Sequence, residues 1–162
     1  MVKQLIATFL IVVQNNETMS KLWDNRYLQL AREVSGWSKD PSTQCGALLI
    51  GDSGQVLSQG YNGFPRGMDD DPLLYQEREV KYTRIVHAEM NAIYNASRSG
   101  ISLKGATAYV HGLPCCHECA KALIQVGVKR VVMGRSNNIR WNDSCGDAMD
   151  FFEEAGVEIT YI

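Results

Sequence analysis

Two short clusters of metal-binding side chains stand 29 positions apart in the sequence. His87 and Glu89 form the first, and Cys116 and Cys119 form the second. Cysteines spaced i and i+3 lie on one face of a helix, so both sulfurs can bind a single ion. With His87 they provide three protein ligands and leave the fourth tetrahedral position for water. That arrangement is typical of catalytic rather than structural zinc.

Glu89 is the expected catalytic residue. Zinc lowers the pKa of a bound water to about 7, and a carboxylate near a ligand can take the proton and deliver it to a substrate. Two residues are about 200° apart on a regular helix. His87 and Glu89 can therefore converge only if the metal lies over the end of a helix that begins at His87.

The choice of cysteine ligands has an alternative. His-x-Glu followed by Pro-Cys-x-x-Cys is the signature of zinc deaminases, but the proline here precedes Cys115. Either Cys116 and Cys119 bind the metal, or Cys115 and Cys119 do so across a wider loop. We favour the first pair because it keeps the i, i+3 spacing. His111 and His117 are expected to be a strand-end residue and a solvated helix residue.

The elements that must hold these residues alternate between helix and strand. Apolar residues at helical spacing predict a first helix that ends at Gly36, with its core face formed by Trp23, Tyr27, Leu30, Ala31 and Val34. The remaining patterns predict strands at 45–50, 56–61, 106–111, 129–134 and 157–162, helices at 87–97, 116–126 and 147–154, and a long loop at 62–82. This alternation favours an α/β fold with a mixed or parallel sheet between helices.

Composition narrows the class of partner. The 162 residues suit a single domain. A net charge of −2, with scattered Lys and Arg, argues against a sequence-independent nucleic-acid binder and favours a small soluble substrate. Five cysteines, an odd and clustered set, argue against a secreted disulfide scaffold. We therefore expect a reducing, cytoplasmic compartment.

The first 18 residues form an expected extension ahead of a domain at 19–162. Residues 5–13 are apolar apart from Thr8 and follow Lys3. This run is far shorter than the roughly 20 residues needed to span a bilayer, and no small-x-small cleavage site follows it. We interpret it as a buried strand or short helix and expect no membrane partner.

The sequence as a whole resembles the deoxycytidylate deaminases, a branch of the cytidine deaminase-like superfamily. The resemblance covers about residues 27–162 and rests on segments 38–47, 60–65, 87–93 and 116–121. It implies a three-layer fold in which a central mixed sheet of about five strands lies between helices. It also implies zinc-dependent hydrolysis of dCMP to dUMP and ammonia, which supplies dUMP for thymidylate synthesis.

The resemblance also implies substrate contacts. Ser38 and Lys39 would hold the 5′-phosphate, Asn62 would contact the deoxyribose hydroxyl, and the Ala88 backbone would touch the base. Trp141 stands where the family often has Tyr and would flank the phosphate. A phosphate requires a cation and small donors, and an amide offers both a donor and an acceptor. Ser38 and Lys39 could instead be solvated loop residues, and Asn62 could serve turn geometry.

Many members of this family are hexamers that dCTP activates and dTTP inhibits through a site near a Gly-Tyr-Asn-Gly loop. Carried over by position, that regulatory site would include Asn62 and Gly63, with Arg66 for the triphosphate. Its Mg²⁺ would be bound by acidic residues from the group Asp69, Asp70 and Asp71. A solvated acidic loop is the alternative interpretation of this segment.

Two rival functions remain open at this point. One is a deaminase of another base, such as cytidine, guanine or adenosine in tRNA, although the tRNA enzyme should show a basic surface. The other is a non-catalytic zinc module that binds nucleotides. Glu89 argues against the second, because a structural site does not need that carboxylate.

Overall fold

A computed structural model describes residues 20–134 and 142–162. Its helices are α1 (residues 20–35), α2 (Arg78–Arg84), α3 (Ala88–Arg98), α4 (His117–Gln125) and α5 (Asn142–Glu154). Its strands are β1 (Gly46–Ile50), β2 (Val56–Tyr61), β3 (Thr107–His111), β4 (Arg130–Met133) and β5 (Glu158–Tyr161). None of the helices in these two ranges is long and apolar enough to cross a membrane. The expected extension at 1–18 and Trp141 lie outside the described residues.

The five strands form one mixed sheet in the order β2-β1-β3-β4-β5. β1 runs antiparallel to both β2 and β3, whereas β3, β4 and β5 run parallel. The hairpin between β1 and β2 keeps that pair antiparallel, and the parallel pairs are joined through α4 and α5, as parallel connections require. The α/β class and the mixed five-stranded sheet predicted from sequence are confirmed.

The sheet has a buried layer on each face, which makes the fold three-layered. Along β1, Ala47 and Leu49 join one apolar cluster, whereas Leu48 and Ile50 join the other. Successive strand side chains point to opposite faces, so a strand buried on both faces has no polar positions. The larger cluster includes residues of α3, α4 and α5, and the smaller one includes Ala31 and Val34 of α1.

Two glycines let helices approach the sheet directly. A Cβ on Gly46 would overlap the Ala31 carbonyl of α1, and a Cβ on Gly60 would overlap backbone atoms of Ala88 and Ala92 in α3. Any larger residue would push the helix away from its strand. The Gly60 contact brings the first turn of α3 against β2.

The core face predicted for α1 was partly wrong. Trp23 and Leu30 are 44% and 41% exposed, whereas Asp24 is only 3% exposed. The Asp24 carboxylate accepts hydrogen bonds from the Tyr109 hydroxyl at 2.7 Å and from both terminal nitrogens of Arg130 at 2.8 Å. Apolar periodicity gives no sign of a polar anchor of this kind, so the buried face of α1 is rotated from the predicted one.

The segment at 62–82 is not the continuous loop that was predicted. It contains a 3₁₀ helix at Pro72–Tyr75 and most of α2. None of the α2 side chains is buried, so the helix leaves no apolar stripe in the sequence. α5 likewise begins at Asn142 rather than at the predicted residue 147, because its first turn is polar.

Candidate active site

The predicted metal-binding residues lie at the beginning of two helices. His87 immediately precedes α3 and Cys116 immediately precedes α4, and neither side chain caps its own helix. Cys119 follows in the first turn of α4. The unpaired N–H groups of a helix N-terminus carry partial positive charge, which favours thiolate over thiol.

The distances within this cluster suit one metal ion. His87 Nδ1 lies 3.4 Å from the Sγ of Cys116 and 3.4 Å from the Sγ of Cys119. Potential ligand atoms of all three residues lie within 4.8 Å of one another. Tetrahedral zinc with ordinary Zn–N and Zn–S bonds separates nitrogen from sulfur by about 3.6 Å. The three side chains therefore fit zinc as they stand.

The protonation of Cys116 also suits a ligand. Hydrogen bonds with Cys119 and then His87 lower the pKa of Cys116 to about 4, against an opposing effect of burial. The hydrogen bond between His87 and Cys116 has the largest effect on the pKa of the His87 imidazole and raises it. These contacts favour the thiolate form of Cys116, which is the form that binds metal.

Cys115 occupies a different environment. Its side chain is fully buried in the larger core cluster, its Sγ lies 3.6 Å from the Cys116 carbonyl oxygen, and its N–H points to Met133 Sδ. The group of potential ligands consists of His87, Cys116 and Cys119 and does not include it. The geometry thus favours Cys116 over Cys115 as the partner of Cys119.

Glu89 is buried next to the metal cluster. It is the second residue of α3, is 5% exposed and lines the same pocket as His87 and Cys116. Burial raises the pKa of Glu89, and the positive charge of His87 partly opposes this effect. A carboxyl group whose pKa is raised by burial can both accept and return a proton.

The cluster opens into a cavity of about 520 Å³, which is within the size range of small-molecule sites. Ala88, whose backbone was expected to touch a base, lies in its wall as the first residue of α3. The other described residues of the wall are mostly polar or small and include Asp40, Ser42, Thr43, Cys45, Asn62, Lys81, Tyr82, Pro114 and Cys145.

Asn62 lines this cavity but is already held by the protein. Its Oδ1 accepts a hydrogen bond from Cys45 N–H at 2.7 Å, and its Nδ2 donates to the Thr43 carbonyl at 2.9 Å. A second donation to Asp40 Oδ2 is longer, at 3.4 Å. The side chain therefore ties the end of β2 to the segment before β1, in addition to any contact with a ligand.

Ser38 and Lys39 do not reach the wall of this cavity. The Ser38 hydroxyl is buried and donates to the Asn62 carbonyl at 2.7 Å. Lys39 Nζ forms an ion pair with Asp70 Oδ2 at 2.9 Å and lines a second cavity. The structure therefore brings His87, Cys116, Cys119, Glu89, Ala88 and Asn62 together, and leaves the two expected phosphate ligands outside. Trp141 falls beyond the described ranges.

The second cavity has a volume of about 510 Å³ and a different character. Lys39, Arg66 and Arg98 contribute positive charge to its wall. Five aromatic residues (Trp37, Tyr61, Phe64, Tyr75 and Tyr94), together with Gly63 and Asp70, form other parts of it. Gly63, Arg66 and Asp70 of the predicted regulatory set thus lie together here, whereas Asn62 lines the cavity of the metal cluster.

The acidic residues near this second cavity are engaged by protein groups. Asp70 pairs with Lys39 and accepts a 2.5 Å hydrogen bond from the Tyr75 hydroxyl. Asp71 caps the 3₁₀ helix by accepting from Leu73 N–H at 2.9 Å. Asp69 accepts from Asp71 N–H at 3.2 Å. These contacts give each carboxylate a role in the local structure.

Sequence reasoning missed Lys81 and its partners Asp40 and Ser42. The Lys81 ammonium lies 2.7 Å from Asp40 Oδ2 and donates to Ser42 Oγ at 2.7 Å, in the wall of the metal-cluster cavity. Lys81 belongs to α2, in a segment interpreted as loop. Its position opposite Asp40, 41 residues earlier, depends on tertiary structure.

The comparisons with known proteins agree with this site. Residues 21–135 match the family described as the cytidine and deoxycytidylate deaminase zinc-binding region. An uncharacterized deaminase of Aliivibrio fischeri is 39% identical over 147 residues, which cover 89% of this chain and 96% of that protein. The deoxycytidylate deaminase of Homo sapiens is 35% identical over 140 residues, which cover 83% of this chain and 76% of that protein.

A solved structure shows the same fold. The dCMP deaminase of cyanophage S-TIM5, in complex with dCMP and dUMP, superposes with a TM-score of 0.67 at 25% identity. The match covers 85% of this chain and 95% of the phage chain. The family match, which spans well over half of the chain, also covers all three residues of the metal cluster and Glu89. The chain is therefore a deaminase and belongs to the cytidine and deoxycytidylate deaminase family.

Proposed function

We propose that this enzyme hydrolyses dCMP to dUMP and ammonia, with zinc held by His87, Cys116 and Cys119. The observation that carries the proposal is the tetrahedral spacing of these three ligands beside the buried Glu89. The human relative is a deoxycytidylate deaminase, and the phage relative was solved with dCMP and dUMP. Both support a cytosine nucleotide as the substrate.

Zinc bound at this cluster would supply the Lewis acidity that makes a water molecule nucleophilic at neutral pH. Glu89 takes a proton from the attacking water as the new C–O bond forms at C4 of cytosine. It passes this proton to ring N3, then takes the second proton from the new C4 hydroxyl and passes it to the amino group, so the C4–N bond breaks, C4=O forms and ammonia leaves. A single buried carboxyl with a raised pKa can perform both transfers.

The other contacts of the substrate follow from the wall of the cavity. Ala88, the buried first residue of α3, places backbone beside the metal cluster, where the base must lie. Asn62 keeps a free lone pair on Oδ1 that can accept from a sugar hydroxyl without breaking its bond to Cys45. The dUMP formed would be available for thymidylate synthesis in a reducing, cytoplasmic compartment.

We further propose that the second cavity binds the regulatory nucleotides dCTP and dTTP in a hexamer. Lys39, Arg66 and Arg98 supply the positive charge that a triphosphate needs. Trp37 and Tyr94 at its wall are 57% and 48% exposed, so aromatic surface is available to a base or to another subunit. The carboxylates expected to bind Mg²⁺ have protein partners, so the proposed nucleotide site consists of the cationic and aromatic residues of the cavity.

The substrate is tested by measuring ammonia release from dCMP, CMP, deoxycytidine, cytidine and guanine. We expect the highest kcat/KM with dCMP. A preference for guanine or for an unphosphorylated nucleoside would contradict the substrate but retain the deaminase class. Zinc-loaded protein that released no ammonia from any of the five would contradict the reaction itself.

A further inference from the structure

Lys81 lies in the wall of the metal-cluster cavity, which is the catalytic cavity of the proposed reaction, but has no role in the proton transfers proposed for Glu89. Its ammonium lies 2.7 Å from Asp40 Oδ2, 2.9 Å from Asp40 Oδ1 and 2.7 Å from Ser42 Oγ. The side chain is 14% exposed. Lysine side chains are mostly exposed, whereas this one is largely enclosed beside the cavity by its pairing with Asp40.

The charges around the cavity leave Lys81 as the available cation. Among the described residues of the wall, His87 and Lys81 are the basic ones, and His87 belongs to the metal cluster. Lys39, which the family resemblance assigned to the phosphate, is paired with Asp70 at the other cavity. A nucleoside monophosphate brings a nearly dianionic group into a cavity that already contains the Asp40 and Glu89 carboxyls. It therefore needs a positive partner there.

The ammonium is held in one position before any ligand arrives. Asp40 is 1% exposed and also accepts hydrogen bonds from Ser42 N–H at 2.9 Å and Thr43 N–H at 3.2 Å. Hydrogen bonds from Lys81 and Ser42 lower the pKa of Asp40 despite the opposing effect of burial, so the carboxylate is charged at neutral pH. A lysine fixed in this way has little side-chain entropy left to lose on binding.

We propose that Lys81 binds the 5′-phosphate and makes this cavity select pyrimidine nucleotides over nucleosides. The inference rests on the proposed function and deepens it, because it assigns the recognition of the phosphate to a residue of α2. An ammonium has three donors, so Lys81 can bridge the Asp40 carboxylate and a phosphate oxygen. The Ser42 hydroxyl, which accepts from Lys81 and donates to Asp40 Oδ1 at 3.0 Å, helps to hold the ammonium in this position.

The test compares the affinities of zinc-loaded protein for dUMP and deoxyuridine, which differ only in the phosphate, by calorimetry. The original protein should bind dUMP more tightly. Lys81→Gln should weaken dUMP binding by about 10- to 150-fold, the range for a hydrogen bond to a charged group, and leave deoxyuridine binding unchanged. Arg84→Gln removes the same charge from the same helix at a residue outside the described wall, and should keep both affinities.

A double variant separates phosphate recognition from neutralisation of Asp40. Lys81→Gln with Asp40→Asn removes both charges and keeps a polar pair at the site. If Lys81 binds phosphate, the double variant still loses the preference for dUMP. If the double variant regains that preference, or if Lys81→Gln weakens both ligands equally, Lys81 only stabilises Asp40 and the proposal is wrong.

Ammonia release from dCMP keeps this outcome distinct from the proposed reaction. The original protein could fail to deaminate dCMP while Lys81→Gln selectively loses affinity for dUMP. That result would leave the role of Lys81 standing and overturn the reaction. If instead the original protein deaminates dCMP and the Lys81→Gln variant keeps its preference for dUMP, the reaction stands and the role of Lys81 is overturned.

Discussion

Glu89 and Glu118 occupy the same place in two different helices, and their surroundings separate their roles. Each is the second residue of its helix, α3 and α4 respectively. Glu89 is buried beside the metal cluster, whereas the Glu118 side chain is 67% exposed and pairs with Lys121. Position on a helix therefore does not make a carboxylate catalytic. The enclosed cavity and the neighbouring potential ligands are what favour Glu89 for the proposed catalytic role.

We expect Glu89→Gln to lower kcat for dCMP by at least about 10²- to 10⁴-fold, because an amide cannot carry the proton. Zinc content and dUMP affinity should stay close to those of the original protein. Glu118→Gln, the matched control, should retain activity. Steady-state kinetics with elemental analysis provide the measurement, and near-normal kcat in Glu89→Gln would remove this residue from the mechanism.

The two adjacent cysteines should respond oppositely to substitution. Cys116→Ser should lose bound zinc and activity, because its thiolate is one of three ligands. Cys115→Ala should retain both, since Cys115 is buried in the core and is not one of the three potential ligands, although its thiol contacts Cys119. Zinc per chain, measured by elemental analysis on purified protein, decides between them, and the reverse pattern would assign Cys115 and Cys119 as the ligand pair.

At the scale of elements, α1 is attached to the sheet by an ion pair as well as by apolar contact. Arg130 of β4 contacts Asp24 through two nitrogens, and Tyr109 of β3 donates to the same carboxylate. Burial opposes ionisation of Asp24, but the hydrogen bonds from Arg130 and Tyr109 lower its pKa below the usual 3.8. The pair therefore joins three elements while the carboxylate remains charged.

Asp24→Asn should lower the free energy of unfolding by about 3 kcal/mol, because it leaves the Arg130 charge without its buried partner. Asp52→Asn, which removes an exposed partner of Lys129, should cost less than about 1 kcal/mol. Urea unfolding of both variants at pH 7 provides the comparison. Equal effects would show that the Asp24 pair contributes no more than a surface pair.

The lowered pKa of Asp24 also predicts a dependence on pH. Its contribution to stability is complete above the unfolded-state value near 3.8 and is lost as the pH falls through the lower folded-state value. The difference in stability between the original protein and Asp24→Asn should therefore shrink below about pH 4. A difference that stayed constant from pH 7 down to pH 3 would contradict the ionised pair.

At the scale of the whole molecule, the catalytic and second cavities share one segment of chain. Ser38 bonds to the Asn62 carbonyl, Lys39 pairs with Asp70 at the second cavity, and Asp40 pairs with Lys81 at the catalytic one. A ligand that disturbed the Lys39 pair would therefore act within one residue of the catalytic wall. This adjacency provides a physical route for the proposed regulation.

If the second cavity is regulatory, dCTP should lower the apparent KM for dCMP and dTTP should raise it, commonly by 5- to 150-fold in coupled systems. Linkage then requires dCMP to tighten dCTP binding by the same factor. Arg66→Ala should abolish both responses, whereas Arg26→Ala on α1, away from the cavity, should keep them. Hyperbolic kinetics unaffected by either nucleotide would contradict a regulatory role.

The sequence by itself predicted that His87, Cys116 and Cys119 would meet, that Glu89 would lie near them, and that the fold would be α/β. Local spacing was enough for this, because a Cys-x-x-Cys run and a His-x-Glu run at helix N-termini bring their ligand atoms together once two helices meet. The alternation of apolar segments was likewise enough to predict five strands, of which β1, β3 and β4 are largely buried. The exposed α2, with no buried side chain, gave no such signal.

Only the tertiary structure decided which side chain serves which cavity. Lys39 and Asp40 are neighbours in sequence, yet one pairs with Asp70 at the second cavity and the other with Lys81 at the catalytic one. Both residues lie in the irregular segment between α1 and β1, so local structure does not direct them to the same site. Lys81 came to the catalytic wall from a helix 41 positions away. Such a pairing follows from the packing of the whole chain, which no local pattern encodes.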